Sequence, residues 1–303
     1  MINNLLNRKM DLLEKYGYQP DLEKVSKTIE AISANMSLFQ NAEVYRTCFS
    51  VMDITSLNMN DTPRTIAGFV EKVNALRSAF PAYPLPASIC VYPDMIPVVV
   101  EKRLCPELHA TAVGACFPAS HTFLEVKLLE CRMAVESGAD EVDVVIPHSL
   151  LRDGRYEAVE DELRRIRSTV DNAAPGRSII LKVILETGTI VEAETIARAS
   201  FIAMESGADF IKTSTGKNGV GATPSAVFVM CECIKRFYEI TGRKVGIKPA
   251  GGMSTVSDAL SYYSIIHTLL GKDWLDKSFF RLGVSRMANS LLSALEEKNV
   301  VFF

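Results

Sequence analysis

The sequence predicts an α/β protein of the TIM (β/α)8 barrel class with an N-terminal helical extension. Two observations lead there, and a third points to where a site would lie. Eight short apolar runs recur along the chain, each followed by a segment of helical period. One helix-to-strand junction, Glu-Ser-Gly-Ala-Asp, occurs twice, at 136–140 and at 205–209. Five of the apolar runs also carry an aspartate or a lysine, residue types that are almost never fully buried unless paired.

Taken in order, Asn4 to Tyr16 and Leu22 to Ala34 place apolar residues three and four apart, with Pro20 between them, and read as helices. The expected organisation is an N-terminal helical extension over residues 1–44 and a barrel over 45–303. The expected strands are Cys48 to Ile54, Ser88 to Tyr92, Ala110 to Ala115, Glu141 to Ile146, Ile179 to Leu185, Asp209 to Thr213, Lys244 to Lys248 and Phe279 to Gly283. The clearest intervening helices are Arg64 to Ala79, Phe123 to Ser137, Tyr156 to Asn172, Val191 to Ser206, Ser225 to Thr241 and Val256 to Leu270. Short, largely apolar strands alternating with helices suit a parallel sheet covered on both faces, and eight such units favour a closed barrel over an open sheet. The two Glu-Ser-Gly-Ala-Asp copies lie two β/α units apart, and each glycine suits the left-handed cap that ends a helix. The Pro-rich stretch 81–87 is a rigid loop within the barrel.

Length and composition agree with a single barrel: 303 residues, 48% hydrophobic and 23% charged. A net charge of −3 and a pI near 5.9 give no basic footprint, which argues against nucleic acid as a partner. Apolar runs such as Ile96 to Val100 are far shorter than the ~18 residues of a membrane span. The N-terminus lacks a signal-peptide pattern, so the expected location is cytoplasmic. The seven cysteines are irregularly spaced, and the Cys231–Cys233 pair falls in a helical pattern; both read as buried or helix-surface thiols in a reducing compartment.

Active sites of such barrels lie at the C-terminal ends of the strands. The charged residues in the strands are Asp53, Asp143, Lys182, Lys212 and Lys248. A single Lys–Asp pair is readily explained as an ion pair filling the barrel; all five together point to a site, because buried ion pairs add little stability. Two lysines in a dry site have a specific use. Desolvation and a neighbouring cation both favour the neutral amine, so one lysine can attack a carbonyl while the other stays charged. A nearby aspartate can then move protons. The protonated imine is itself the electron sink, so no metal and no cofactor is expected. His109, His121, His148 and His267 are scattered without ligand spacing. Thr215, Gly216 and Lys217 follow the sixth strand, Gly251 and Gly252 the seventh, and Gly283 and Ser285 the eighth. Glycine-bearing loops of this kind let backbone N–H groups approach an anion such as phosphate.

Six stretches resemble the deoxyribose-phosphate aldolase family: Met52 to Asn58, Ile89 to Pro93, Glu141 to Val145, Lys182 to Gly188, Asp209 to Lys217 and Gly246 to Gly252. The resemblance runs from about residue 48 to 297, and the DFIKTSTGK and IKPAGG segments are its most specific part. It implies reversible cleavage of 2-deoxy-D-ribose 5-phosphate to D-glyceraldehyde 3-phosphate and acetaldehyde. By that resemblance Lys212 forms the imine, Lys248 lowers its pKa and Asp143 transfers protons. Lys182 and Asp53 belong to the surrounding network, Cys90 sits near substrate, and Thr215, Gly216, Lys217, Gly251, Gly252, Gly283 and Ser285 form the phosphate loops. The implied partners are a phosphorylated sugar and aldehydes, with a homodimer as the implied assembly. The chain departs from the family at Arg286 after Ser285, at Ile-Pro-His148, and at Phe303 where some members have a terminal tyrosine. Beside this reading stand another imine-forming aldolase with a different phosphorylated sugar, and a phosphate-binding barrel without activity. The last would be expected to lack one of Lys212, Lys248 or Asp143, and all three are present.

Overall fold

A computed structural model describes residues 11–303. The first part of the expected Asn4 to Tyr16 helix lies outside the described residues. The elements that precede the sheet are α1 (Leu12–Lys15), α2 (Leu22–Ala34) and α3 (Ala42–Ser50). Then come β1 (Met52–Thr55), α4 (Pro63–Ala79), β2 (Ser88–Val91), α5 (Ile96–Lys102), β3 (His109–Gly114), α6 (Leu124–Glu136) and β4 (Glu141–Val145). The second half holds α7 (His148–Arg152), α8 (Tyr156–Asn172), β5 (Ile180–Ile184), α9 (Ala193–Glu205), β6 (Phe210–Lys212), α10 (Pro224–Thr241), β7 (Gly246–Lys248), α11 (Val256–Leu270), β8 (Leu282–Val284) and α12 (Met287–Glu296).

The eight strands pair in parallel in sequence order, with β8 returning to β1. Parallel bridges Ile247↔Phe280 and Ala250↔Gly283 join the β8 segment to β7 and close the barrel. Gly283 is small for a reason: a Cβ there would lie 2.7 Å from the Ala250 Cβ and 3.1 Å from the Lys248 Cε.

Residue parity along each strand decides what faces what. Val142 and Val144 of β4, Leu181 and Val183 of β5, and Ile211 of β6 belong to the main apolar core, which runs between sheet and helices. The alternate positions, Glu141 and Asp143, Lys182, and Lys212, meet one another across the barrel interior. The sheet is thus apolar toward its helices and polar within.

The repeated junction does the same work twice. Gly138 and Gly207 take φ of +102° and +93°, ending α6 and α9. The aspartate of each copy then accepts the backbone N–H of an adjoining strand: Asp140 from Ala110 at 2.9 Å and Asp209 from Leu181 at 2.8 Å. Arg103 and Arg167 neutralise the two carboxylates.

Two strand boundaries differ from the sequence reading by more than two residues. Residues 42–50 form a helix, so the first strand begins at Met52 and not at Cys48. Asn41 caps this helix by accepting the Val44 N–H at 3.1 Å, and Val44 and Cys48, one turn apart, are buried. The helix crosses residue 44, where the extension was expected to end, and packs on α11 and α12. The eighth strand is also later than expected, at Leu282–Val284. The earlier helices lie on the outside of the barrel: Tyr16 stacks on Phe201 of α9 at 4.3 Å, and the Tyr18 hydroxyl donates to Glu232 of α10 at 2.9 Å. The C-terminal residues fold back on α12, where the Asn289 side chain donates to the Phe303 carbonyl at 3.1 Å.

Candidate active site

Register brings the charged side chains together. Asp143 is paired with Lys182 across β4 and β5, and Lys212 with Lys248 across β6 and β7. Asp143 is the hub. Its Oδ1 accepts from Lys182 at 2.7 Å, and its Oδ2 accepts from both Lys212 and Lys248, each at 2.8 Å. Asp53 of β1 lies 2.5 Å from the Lys248 ammonium and 3.6 Å from that of Lys182. All five residues are buried, and Lys212 is the most exposed of them at 4%.

Two further charges complete the cluster, and the sequence reading left both out. Arg281, just before β8, is 1% exposed. It donates to Asp53 at 2.6 Å and to both oxygens of Glu141 at 2.7 and 3.1 Å. Glu141 of β4 also contacts Lys182, and it lies 2.7 Å from His109 and 2.9 Å from the Thr111 hydroxyl. Parity is the signal that could have found them: Glu141 stands two residues before Asp143 and Arg281 two before Gly283, so each shares the inward face.

The charges can now be counted. Lys182, Lys212, Lys248 and Arg281 are four potential cations, and Asp53, Glu141 and Asp143 are three carboxylates. The cluster balances when one lysine is neutral. Lys182 touches three carboxylates and Lys248 two, whereas Lys212 touches only the oxygen it shares with Lys248.

The pKa directions follow this count. Burial and the neighbouring Lys248 cation outweigh the attraction of Asp143 and hold the Lys212 pKa below that of an ordinary lysine. Burial also disfavours charge on Lys248 and Lys182, but their carboxylate partners raise both. Burial alone would raise Asp143, yet Lys182, Lys212 and Lys248 together hold it far below the usual carboxylate range. Asp53 falls to about 2: burial opposes the shift, and Lys248, Arg281 and Lys182 overcome it. Burial pushes the Cys90 thiol up, which keeps it protonated. Cys90 is fully buried and packs with Leu57 and Val113 in a small apolar cluster, against which Tyr92 and Phe117 rest.

The loop residues fall into separate groups. Gly216 and Gly251 take φ of +74° and +83° and lie against each other, since a Cβ on Gly251 would come within 3.3 Å of the Gly216 Cα. Gly252, also at positive φ (+78°), and Lys217 are exposed at this rim, and the Lys217 ammonium reaches the Leu57 carbonyl after β1. Thr215 is buried, and its N–H and hydroxyl both donate to Glu186. Gly283 donates its N–H to the Pro249 carbonyl at 2.9 Å, so that amide serves barrel closure. Ser285 is exposed just beyond β8. Among the described residues, no helix is long and apolar enough to cross a membrane.

The DeoC/LacD family aldolase profile matches residues 47–267, most of the barrel and all of the charged cluster except Arg281. The chain belongs to this aldolase family. Human deoxyribose-phosphate aldolase is 42% identical over 214 residues, which are 70% of this chain and 64% of that one. A Caenorhabditis elegans protein provisionally named for the same activity is 34% identical over 281 residues, 92% of this chain and 90% of its own. The match thus spans just under two thirds of the human family member and nearly all of the nematode one. The tetrameric deoxyribose phosphate aldolase of Aeropyrum pernix superposes with a TM-score of 0.64 at 24% identity, over 82% of this chain and 91% of that chain. At that identity the likeness speaks to the barrel fold.

Proposed function

We propose that this chain is a deoxyribose-phosphate aldolase that cleaves 2-deoxy-D-ribose 5-phosphate reversibly through an imine on Lys212. The observation that carries the reading is the charge count: three carboxylates against four basic side chains, with Lys212 the basic group least held by them. A lysine that loses its proton in this setting is a nucleophile near neutral pH.

The neutral Lys212 amine adds to the C1 aldehyde of the open-chain sugar, and the carbinolamine loses water to give a protonated imine. Loss of the C3 hydroxyl proton lets the C2–C3 bond break. Its electron pair moves into the imine, leaving an enamine on Lys212 and releasing glyceraldehyde 3-phosphate. Protonation at C2 and hydrolysis free acetaldehyde and regenerate the amine. Asp143, 2.8 Å from the Lys212 nitrogen, is placed to move the protons of carbinolamine loss. Lys248 keeps its own proton and so holds Asp143 ionised and the Lys212 pKa low. Lys217 and the glycines Gly216, Gly251 and Gly252 form the rim that receives the phosphate, with Ser285 at its edge.

The barrel from residue 45 onward is the catalytic unit in this reading, and the family resemblance adds a cytoplasmic homodimer. Borohydride reduction in the presence of acetaldehyde, followed by peptide mapping, tests the central step. The expected product is a stable adduct on Lys212. An adduct only on another lysine, or none at all, overturns the reading.

A further inference from the structure

Among the described residues two buried carboxylates lie outside the charge cluster: Glu162, which is paired with Lys127 at 2.7 Å, and Glu186, which has no cation partner of that kind. Glu186, two residues past the end of β5, is 1% exposed and has φ of +53°, a left-handed conformation unusual for a side chain of this kind. Backbone strain of this sort persists only where the surroundings impose it. Here the surroundings can be named. The Glu186 backbone carbonyl closes the turn after β5 by accepting the Thr189 N–H at 2.8 Å. Its side chain reaches the next loop, beyond Lys212. There Oε2 accepts the Thr215 hydroxyl at 2.5 Å and the Asn218 amide at 3.2 Å, and Oε1 accepts the Thr215 N–H at 3.2 Å. A buried carboxylate held by neutral donors is costly unless its hydrogen bonds are good, so these contacts fix the loop.

The same two loops are pressed together at Gly188, where a Cβ would sit 2.3 Å from the Val220 carbonyl oxygen. Thr215 is fully engaged by this arrangement. Its N–H and its hydroxyl proton both go to Glu186, and its hydroxyl oxygen accepts the Lys217 N–H at 3.1 Å. It has no donor left for a phosphate, although the sequence places it among the phosphate loops. In this loop the Lys217 ammonium is the cation free to turn from the Leu57 carbonyl to an anion.

We propose that Glu186 is the positioning residue of the anion site: through Thr215 and Asn218 it sets where Lys217 meets the phosphate of the substrate, and Thr215 is a relay within that site and not a phosphate donor. The inference rests on the aldolase reading and adds to it a determinant of preference for phosphorylated over unphosphorylated sugar.

The test compares kcat and KM for 2-deoxyribose 5-phosphate and for unphosphorylated 2-deoxyribose in the wild type and in Glu186→Gln. The substitution keeps size but presents an NH2 group where the loop offers only donors. The ratio of kcat/KM for the phosphorylated over the unphosphorylated sugar is expected to fall about tenfold, with the loss in KM, as for one or two hydrogen bonds to a charged group. An unchanged ratio, or an equal loss on both sugars through kcat, overturns the proposal. Should Glu186→Gln fail to fold, Thr215→Val removes the hydroxyl donor from the same pair and carries the test with the same threshold. A wild type that cleaves neither sugar overturns the aldolase reading and this inference with it. An active wild type with an unchanged ratio in the variant overturns this inference alone.

Discussion

Lys212 and Lys248 share a single oxygen: the two ammonium nitrogens each lie 2.8 Å from Oδ2 of Asp143. One carboxylate oxygen cannot fully balance two cations in a dry interior, and Lys248 has Asp53 as a second partner while Lys212 has none. The low pKa of Lys212 is therefore a property of its surroundings, set first by burial and then by the Lys248 cation.

That dependence makes Lys248→Met informative. The variant leaves three basic groups against three carboxylates, so Lys212 is expected to keep its proton. In the wild type the folded Lys212 pKa lies below that of a free lysine, and the active amine accumulates as pH rises through it. Removing Lys248 moves that titration upward. Each pKa unit costs about tenfold in neutral amine, so kcat/KM at neutral pH should fall by roughly a hundredfold or more and recover in part at high pH. Profiles of kcat/KM between about pH 6 and about pH 10 check this. A rising limb at the same pH in variant and wild type would refute it.

The strand lysines are legible in the sequence because each interrupts an apolar run, and Asp143 and Lys212 do so between large apolar neighbours. Arg281 is harder to see. It stands outside the three-residue β8, between Phe280 and Leu282, and its inward direction is set by the bridges to β7. Glu141 lies at the start of its strand, where a carboxylate ordinarily faces solvent; Lys182 from the neighbouring β5 and Arg281 from beside β8 explain its burial. The helix at 42–50 reads in part as strand because Cys48, Phe49, Val51 and Met52, interrupted only by Ser50, carry an apolar stretch across the break between helix and sheet. Glu186 stands in the sequence only as part of a motif, since its burial and its contacts depend on a backbone angle and on a reach between two loops.

Arg281 is expected to matter for stability. It neutralises Asp53 and Glu141 beneath the lysines. Its loss strips buried Asp53 of one hydrogen bond and buried Glu141 of two, and breaking a buried ion pair in this way costs about 3–5 kcal/mol. Arg281→Met should lose stability on that scale in urea unfolding. A loss below about 1 kcal/mol, the range of exposed pairs, would mean the network relaxes around the gap.

The same carboxylates set the acid limit of the fold. Asp53, Glu141 and Asp143 all titrate lower in the folded than in the unfolded chain. The stability they contribute is fully present above the unfolded carboxylate range of about 4 and is lost as pH falls through the folded values, which for Asp53 is about 2. Urea midpoints should therefore decline steadily between about pH 5 and about pH 3. A flat profile there would show that the cluster does not govern acid stability.

Chelation separates the imine route from metal-assisted enolisation. In the imine route the protonated imine takes the electrons of the broken C2–C3 bond, and Lys248 supplies the fixed positive charge nearby. Incubation with EDTA followed by desalting should leave kcat/KM unchanged. Activity lost on chelation and restored by a divalent cation would place a metal in the reaction.

Gly283 offers a steric test of how tightly Lys248 must be held. Its backbone runs so close to β7 that an added Cβ would meet the Lys248 Cε at 3.1 Å and the Ala250 Cβ at 2.7 Å. Gly283→Ala must push back Ala250, which belongs to the bridge that closes the barrel, and the flexible end of Lys248 must give way as well. A shift of its ammonium away from Asp143 Oδ2 would relieve the crowding of positive charge that helps hold the Lys212 pKa low. Overpacking of this kind costs about 1–3 kcal/mol in stability. The kinetic effect should resemble a weaker Lys248→Met, with kcat/KM reduced about tenfold at neutral pH and the rising limb moved upward. A variant that loses stability but keeps its pH profile would show that the barrel wall yields and the lysine does not.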